Sequence, residues 1–375
     1  MTFLLAALLA QEVDGNFPGG NVVVDKIEGD TVSLHQDLRD TAGDWFYWQF
    51  RVRGAQGRTL TFQFTKGNVI GVLGPAVSLD GGESWTWLGK ASIQGTSFRY
   101  AFPADAKDVR FCVSIPYLEK DLQKFLARHA SNPNLKVETH CGTKKGRRVE
   151  RLHVGPRSAP IRILLTARHH ACEMIASYVL EGILEEALSN PWYREYVEIA
   201  AVPFMDKDGV EDGDQGKNRK PRDHNRDYSG ESLYASTQAM RDFAPAWSDG
   251  KVKLALDLHC PTLRGPSNET TYFVGNDNEE SWKKILRLSE LLEAGQTTPG
   301  LYRVKDNMPY GVGWNKASNF TQGLSFGRWA LDLPGSPAGT TLEVSYANSN
   351  GVTITADVAR LLGRDLARAI RKLLE

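Results

Sequence analysis

The chain has 375 residues, of which 41% are hydrophobic and 24% are charged, which is ordinary for a soluble globular protein of one large domain or two. Lys plus Arg and Asp plus Glu balance at 45 each and no basic block stands out, so the charge pattern argues against a nucleic-acid or membrane partner. The four cysteines are scattered without a C-x-x-C spacing, which argues against a disulfide framework. Length, composition and charge do not indicate the oligomeric state.

Residues 1–10 form an apolar run that ends in small residues. This pattern is typical of a short secretory segment, although the basic residues that usually precede the apolar run are missing. We therefore expect a secreted or periplasmic protein if the segment is a signal, and a cytoplasmic protein otherwise. No other run approaches the roughly 18 apolar residues that a membrane-spanning helix needs.

Short β-rich runs separated by Gly-containing turns fill residues 11–116. They predict a small antiparallel β-sandwich domain, which either binds substrate or braces the domain that follows; bracing is the simpler expectation. The predicted strands are 21–24, 31–34, 45–52, 59–64, 76–79, 85–87, 98–102 and 109–115.

After Pro116 a helical period appears over 119–129, and strands then alternate with helices, so a second domain is expected over 117–375. Several strands are nearly continuous apolar runs, which predicts an α/β fold with a mixed, mostly parallel sheet covered by helices on both faces. The predicted strands are 136–140, 150–154, 161–166, 197–203, 252–258, 271–274 and 341–344, and the predicted helices are 171–188, 231–243, 279–293 and 356–374.

His170 and Glu173 lie three residues apart just after the apolar run 161–165. If a helix begins at 171, the two side chains share one face at its start, and a two-His, one-Glu set is how hydrolytic zinc sites are built. Two polar residues on a solvated helix face are the simpler alternative. The neighbouring cysteines, Cys172 and Cys260, are expected to be small buried apolar residues.

Other polar residues with suitable chemistry follow predicted strands in the same way. In a largely parallel sheet, ligands gather at the carboxyl ends of the strands. His170, Asn225, Arg226, His259 and Glu343 all lie at the end of a predicted strand or in the loop after one.

Four separated blocks, at 167–173, 203–210, 256–259 and 340–343, occur in the order found in the zinc metallocarboxypeptidases. The first resembles that family's His-x-x-Glu motif, and the second is similar to its Pro-x-x-Asn-Pro-Asp-Gly-Val segment. The third and fourth match the positions of its second histidine ligand and its catalytic glutamate. Residues 45–52 and 114–122 further resemble the β-domain and linker of the cytosolic carboxypeptidase branch, so the resemblance covers nearly the whole chain.

The resemblance implies a peptidase that hydrolyses the last peptide bond of a peptide or protein, with Zn²⁺ as its cofactor. Two choices stay open: His169 competes with His170 as a ligand, and Arg222 competes with Arg219. Asp257 is expected either to orient a ligand or to be an ordinary buried polar residue. The implied roles are metal binding by His170, Glu173 and His259, general base catalysis by Glu343, oxyanion stabilisation by Arg219, and binding of the terminal carboxylate by Asn225 and Arg226.

Arg328 lies fifteen residues before Glu343, where the resemblance puts the floor of the pocket for the substrate's last side chain. A buried guanidinium without a carboxylate partner is costly, so a preference for C-terminal Glu or Asp is expected. A surface arginine on a loop is the alternative. Two other functions remain open for the whole chain: a zinc amidohydrolase that deacylates N-acyl amino acids, and an inactive relative that only binds peptides.

Overall fold

The computed structural model of the protein describes residues 11–335 and 337–375. The expected secretory segment, residues 1–10, lies outside the described residues. The described chain begins with two five-stranded sheets and continues into a larger sheet with helices. The strands of the first part are β1 (Glu12–Asp14), β2 (Val23–Glu28), β3 (Thr31–His35), β4 (Gln49–Arg53), β5 (Thr59–Phe64), β6 (Ala76–Ser78), β7 (Thr86–Trp87), β8 (Ile93–Gln94), β9 (Ser97–Ala101) and β10 (Val109–Cys112).

Buried apolar side chains alternate with less buried residues along the strands, and the buried ones form the contact between the two sheets. β5 buries Leu60, Phe62 and Phe64, whereas the residues between them are less buried. The ring of Phe62 lies 5.1 Å from that of Phe50 on β4, which belongs to the other sheet. The predicted sandwich is confirmed with one difference: β3 and β5 pair in parallel, because β4, between them in the chain, lies in the opposite sheet.

The predicted domain boundary after residue 116 falls between β10 and the first helix. The strands beyond it are β11 (Leu135–Gly142), β12 (Arg148–Val154), β13 (Ile161–Ala167), β14 (Val197–Val202), β15 (Val252–His259), β16 (Tyr272–Val274), β17 (Ala338–Glu343), β18 (Asn348–Ser349) and β19 (Val352–Thr353). The helices are α1 (Glu119–Arg128), α2 (Met174–Ser189), α3 (Pro191–Tyr196), α4 (Lys207–Asp212), α5 (Ala235–Ser248), α6 (Glu279–Gly295), α7 (Phe326–Trp329) and α8 (Ala356–Leu374).

The large sheet has the strand order β11-β12-β14-β13-β15-β17-β16. Its four central strands, β14, β13, β15 and β17, run parallel, and antiparallel strands flank them. The predicted mixed sheet is therefore confirmed, with its parallel pairings confined to the centre. Because the central strands point the same way, the chain segments that leave their carboxyl ends all emerge at one edge.

Helices cover both faces of this sheet, as predicted. Successive side chains of a strand point to opposite faces, and β13 shows the division clearly. Ile163 and Leu165 belong to the core that α2, α6 and α8 complete, whereas Leu164 packs with residues of α5 and α7. Both faces are buried, which explains why the sequence of β13 is almost continuously apolar.

Within the described part of the chain, no helix combines the length and apolar character needed to cross a membrane.

Candidate functional site

The carboxyl ends of β13, β15 and β17 bring three of the predicted site residues to one edge of the sheet. His259 and Glu343 are the last residues of β15 and β17 and are partners in the parallel register. His170 follows β13 by three residues. Ordinary strand pairing thus brings these residues together from distant parts of the sequence.

A tight turn, and not the start of a helix, joins His170 to Glu173. α2 begins at Met174, and Arg168 has a φ of 61°. The buried guanidinium of Arg168 holds the turn by donating to the carbonyls of Ala171 at 3.1 Å and Tyr117 at 2.9 Å. The expectation that both residues occupy one face of a helix was therefore wrong, because the side chains meet across this turn.

His170, Glu173 and His259 converge in a way that suits a metal ion. The two Nδ1 atoms of the histidines lie only 3.2 Å apart, and His170 Nδ1 is 2.9 Å from Glu173 Oε1. Glu173 Oε2 is 2.7 Å from His259 Nδ1, yet it makes no well-aligned hydrogen bond to any described residue. Two imidazole nitrogens and a carboxylate are a familiar donor set for zinc.

The outer nitrogens of the same two histidines contact carboxylates. His170 Nε2 is 3.1 Å from Asp223 Oδ1, and His259 Nε2 is 2.5 Å from Asp257 Oδ2. Such contacts fix the ring orientation, and with the proton on Nε2 they leave both Nδ1 lone pairs for a cation. Asp257 therefore contacts a candidate ligand, as one of its two predicted roles requires.

A second group, His169, Asp257 and His259, also has ligand atoms close together. Its polar atoms, however, already have protein partners: Asp257 Oδ1 accepts from Thr166 Oγ1 at 2.8 Å and lies 2.9 Å from His169 Nδ1. His169 Nε2 is 2.7 Å from the hydroxyl of Tyr228. His169 and Asp257 are completely buried, whereas the side chain of His170 is partly exposed, so His170 is the better candidate of the histidine doublet.

The neighbouring cysteines are buried free thiols, in keeping with the expected apolar role. Burial raises the pKa of Cys172 to about 12, so its sulfur is protonated at neutral pH. Among the described residues, neither candidate ligand group contains a cysteine.

A cleft of about 420 Å³ opens over the His170 and His259 rings. Glu343 lies in its wall, and burial raises the pKa of this carboxyl, an effect to which the charge of Glu173 adds. Among the described residues, none hydrogen-bonds to Glu343 Oε2. The cleft also contains Asn225, Arg226 and Arg328, so it gathers all the predicted substrate-binding residues.

Arg226 and Arg328 lie against the same aromatic ring. Their guanidinium carbons are 4.9 Å and 4.4 Å from the centre of Phe320. Burial, together with repulsion from Arg328, lowers the pKa of Arg226. Two like charges held this close indicate a place for an anionic ligand.

Arg328 has a carboxylate neighbour, contrary to the premise of the specificity prediction. Its Nη1 lies 3.2 Å from Asp277 Oδ2, whose side chain is 53% exposed. Its Nη2 is buried and has no hydrogen-bond partner among the described residues. The guanidinium is thus only partly satisfied by the protein.

Arg219 does not reach the cleft, which corrects the role expected for it. Its guanidinium pairs with Asp214 at 2.8 Å and with Asp206, and it lines a different cavity. Burial alone would lower the pKa of Arg219, but these carboxylates outweigh burial and raise it. The competing Arg222 is also engaged elsewhere, by Asp227 at 2.8 Å.

The cleft also has lining residues that were not predicted as site residues, among them Trp45, Lys217 and Asp223. Lys217 belongs to the same basic segment as Arg219 and Arg222, and local sequence has no feature that tells which of the three cations faces the site. Trp45 comes from the β-rich part of the chain, so that part contributes to the wall of the cleft.

Similar proteins share this arrangement of strands and helices. A metallo-carboxypeptidase from Burkholderia cenocepacia superposes with a TM-score of 0.78 over 98% of this chain and 99% of its own, at 18% identity. A Pseudomonas aeruginosa metallo-carboxypeptidase, solved in complex with (2-guanidinoethylmercapto)succinic acid, has a TM-score of 0.75, 20% identity, and coverage of 97% and 99%. Human cytosolic carboxypeptidase 2 is 28% identical over 199 residues. The chain is thus similar in sequence to a cytosolic carboxypeptidase and in fold to bacterial metallo-carboxypeptidases.

The metallocarboxypeptidase resemblance seen in the sequence is thereby confirmed, and the structural matches show the fold. The match to human cytosolic carboxypeptidase 2 covers 48% of this chain but only 22% of that protein, and a zebrafish counterpart matches at 26% identity over 52% and 33%. No protein-family model matches the chain.

We expect Arg219→Met to lower the free energy of unfolding by about 3–5 kcal/mol, because the change leaves the buried Asp206 without its cation, whereas Asp214 keeps its contact with Arg39. Thermal or urea unfolding measures this loss. Arg328→Met is the control, since its partner Asp277 is half exposed and a pair of that kind contributes about 1 kcal/mol or less. Unchanged stability of the Arg219 variant would contradict a stabilising role for its ion pairs with Asp206 and Asp214.

Proposed function

We propose that the protein is a zinc-dependent metallocarboxypeptidase that removes the C-terminal residue of a peptide or protein. The observation that carries the proposal is one cleft that combines a His170, Glu173 and His259 donor set, a buried carboxylate and two arginines. The matched relatives cover this chain only in part, so their activity is carried over as part of the proposal. A cytoplasmic location belongs to it as well, because those relatives are named cytosolic carboxypeptidases.

His170, Glu173 and His259 would hold the metal. Asp223 and Asp257 would hold the two rings by their Nε2 atoms, so that little reorganisation accompanies binding. A zinc ion bound there supplies a Lewis acid that activates water and polarises the scissile carbonyl. With Arg219 engaged by aspartates, no arginine role in oxyanion stabilisation is retained.

Glu343 is the proposed general base. Its Oε2 has no protein partner among the described residues, and burial raises the pKa of the carboxyl towards the range in which it both accepts and returns a proton. It would take a proton from the attacking water and pass it to the leaving amine. Position at the end of a central strand holds the side chain rigidly for this task.

Arg226 and Asn225 are the proposed anchor for the terminal carboxylate. Arg226 is fixed by bonds from Nε to the Asn319 carbonyl at 3.0 Å and from Nη1 to the Asn225 carbonyl at 2.7 Å. The orientation of the Asn225 amide follows from Oδ1, which accepts from the Phe326 amide at 2.9 Å. Its Nδ2 hydrogens remain for an oxygen acceptor, since the nearby His259 Nε2 directs its own proton at Asp257.

Arg328 is proposed to select an acidic last side chain. Its unpaired Nη2 supplies a buried donor, and its proximity to Arg226 places a second positive charge beside the carboxylate anchor. A C-terminal glutamate or aspartate carries two carboxylates and would neutralise both cations. Asp277 weakens this preference but satisfies only one of the two terminal nitrogens.

For the reaction itself, we expect the zinc-loaded protein to release the last residue from a peptide with a free C-terminus. The same peptide with an amidated C-terminus should remain intact. Mass spectrometry of the products distinguishes this activity from deacylation of an N-acyl amino acid. Glu343→Gln should retain metal and lose most of kcat, by about 10²–10⁴-fold. Near-normal turnover by this variant, or cleavage of the amide, would contradict the assignment.

For the metal, we expect about one zinc per chain by elemental analysis. His170→Ala and Glu173→Ala should each reduce the bound zinc to a small fraction, because each removes a ligand. His169→Phe is the matched control and should keep the zinc, since this residue belongs to the layer behind the ligands. The reverse pattern for the two histidines would favour the buried His169, Asp257 and His259 group.

For specificity, we compare peptides that differ only in their final residue. Wild type should prefer Glu and Asp over Phe and Lys, and Arg328→Met should lose roughly tenfold or more in kcat/KM for the acidic peptides alone, as expected for loss of a charge-assisted bond. Asp277→Asn is the control variant and should retain or strengthen the preference. Efficient release of Lys by wild type would contradict the proposed role of Arg328.

A further inference from the structure

Lys217 is a buried cation beside the proposed metal ligands. Its ammonium lies 2.7 Å from Glu173 Oε1 and donates to the Cys260 carbonyl at 2.9 Å, with the Pro261 carbonyl at 3.4 Å. The same nitrogen lies 5.3 Å from the centre of the Trp45 ring. A lysine ammonium has three hydrogens, and these three oxygens account for them. Lys217 is therefore poorly suited to bind a substrate oxygen.

The contact with Lys217 makes the two oxygens of Glu173 unequal. Oε1 faces the Lys217 ammonium and also lies 2.9 Å from His170 Nδ1, whereas Oε2 has only the ring nitrogen of His259 close by, without good hydrogen-bond alignment. We propose that Lys217 is a positioning residue, which holds Glu173 through Oε1 and leaves Oε2 to bind the metal. This inference rests on the proposed function, since it concerns how the chain holds one ligand of the proposed zinc site.

The segment that carries Lys217 is packed directly onto the turn that carries Glu173. The amide of Cys172 donates to the Gln215 carbonyl at 3.1 Å. Gly216 has a φ of +75°, and a Cβ at this position would lie 2.2 Å from the amide nitrogen of Ala171. Only glycine fits this approach, so the backbone itself aims Lys217 at Glu173.

The β-rich part of the chain holds this segment from the other side. The Asp40 carboxylate accepts from the amides of Gln215 at 3.1 Å and Gly216 at 2.9 Å. Thr41 Oγ1 donates to the Lys217 carbonyl at 2.6 Å. Lys217 is thus fixed between two parts of the fold, and the sandwich acts on the site through it.

The test uses the full-length protein loaded with Co²⁺, whose visible absorption reports its coordination. We expect Lys217→Met to change the Co²⁺ bands, because Glu173 loses the partner of Oε1, and to weaken metal binding by about 10–100-fold in competition with a chelator. Lys217→Arg should recover much of both. Arg328→Met, which removes a cleft cation without touching Glu173, should leave the bands unchanged.

Thr41→Val provides a second route if Lys217→Met does not fold. This change removes only the hydrogen bond to the Lys217 carbonyl, so it should shift the Co²⁺ bands in the same direction as Lys217→Met but by a smaller amount. The double variant should show nearly the same shift as Lys217→Met alone. Unchanged bands and an affinity within twofold of wild type in Lys217→Met overturn the proposal, as do unchanged bands in Thr41→Val where Lys217→Met is unfolded. If wild type binds no Co²⁺, the proposed zinc site and this inference both fail. If wild type binds Co²⁺ and the variants behave like wild type, only this inference fails.

Discussion

Parallel pairing of β13, β15 and β17 is the constraint on which the site depends. In this register His259 lies beside Glu343, and the turn after β13 brings His170 to the same edge. A shift of one residue in either pairing would send a functional side chain to the opposite face of the sheet. Burial on both faces prevents such a shift, because each central strand has apolar residues on either side that must be covered.

This register concentrates negative charge, and the surroundings of the site compensate for it. Four buried carboxylates, Asp223, Asp257, Glu173 and Glu343, lie around two imidazoles. The ammonium of Lys217 and the proposed divalent cation would both offset this negative charge, since isolated buried carboxylates are costly. The cations proposed to take part in the chemistry would therefore also stabilise the buried carboxylates of the site.

The basic residues of the cleft region divide into two groups by the partners they find. Arg219 and Arg222 contact aspartates that satisfy them, so they brace loops. Arg226 and Arg328 lie against Phe320 and line the cleft; the one carboxylate beside Arg328 Nη1, Asp277, is half exposed, and Arg328 Nη2 has no hydrogen-bond partner among the described residues. A guanidinium's role therefore follows from whether a fixed carboxylate is within reach, and the β-rich part of the chain takes part in that sorting through Asp40, which lies 3.7 Å from Arg219.

The sequence by itself predicted the two kinds of sheet, most of the long helices and six residues that line the cleft: His170, Asn225, Arg226, His259, Arg328 and Glu343. Period-two and helical patterns report burial locally, and the ordered motif blocks mark strand ends, so both can be read without contacts. The tertiary structure decided what depends on partners distant in the chain. It placed His170 and Glu173 on a turn held by Arg168, removed Arg219 from the site by pairing it with Asp206 and Asp214, and brought Lys217 to Glu173. The physical reason is that a charged side chain takes its role from the nearest fixed opposite charge, and only the folded chain determines which charge that is.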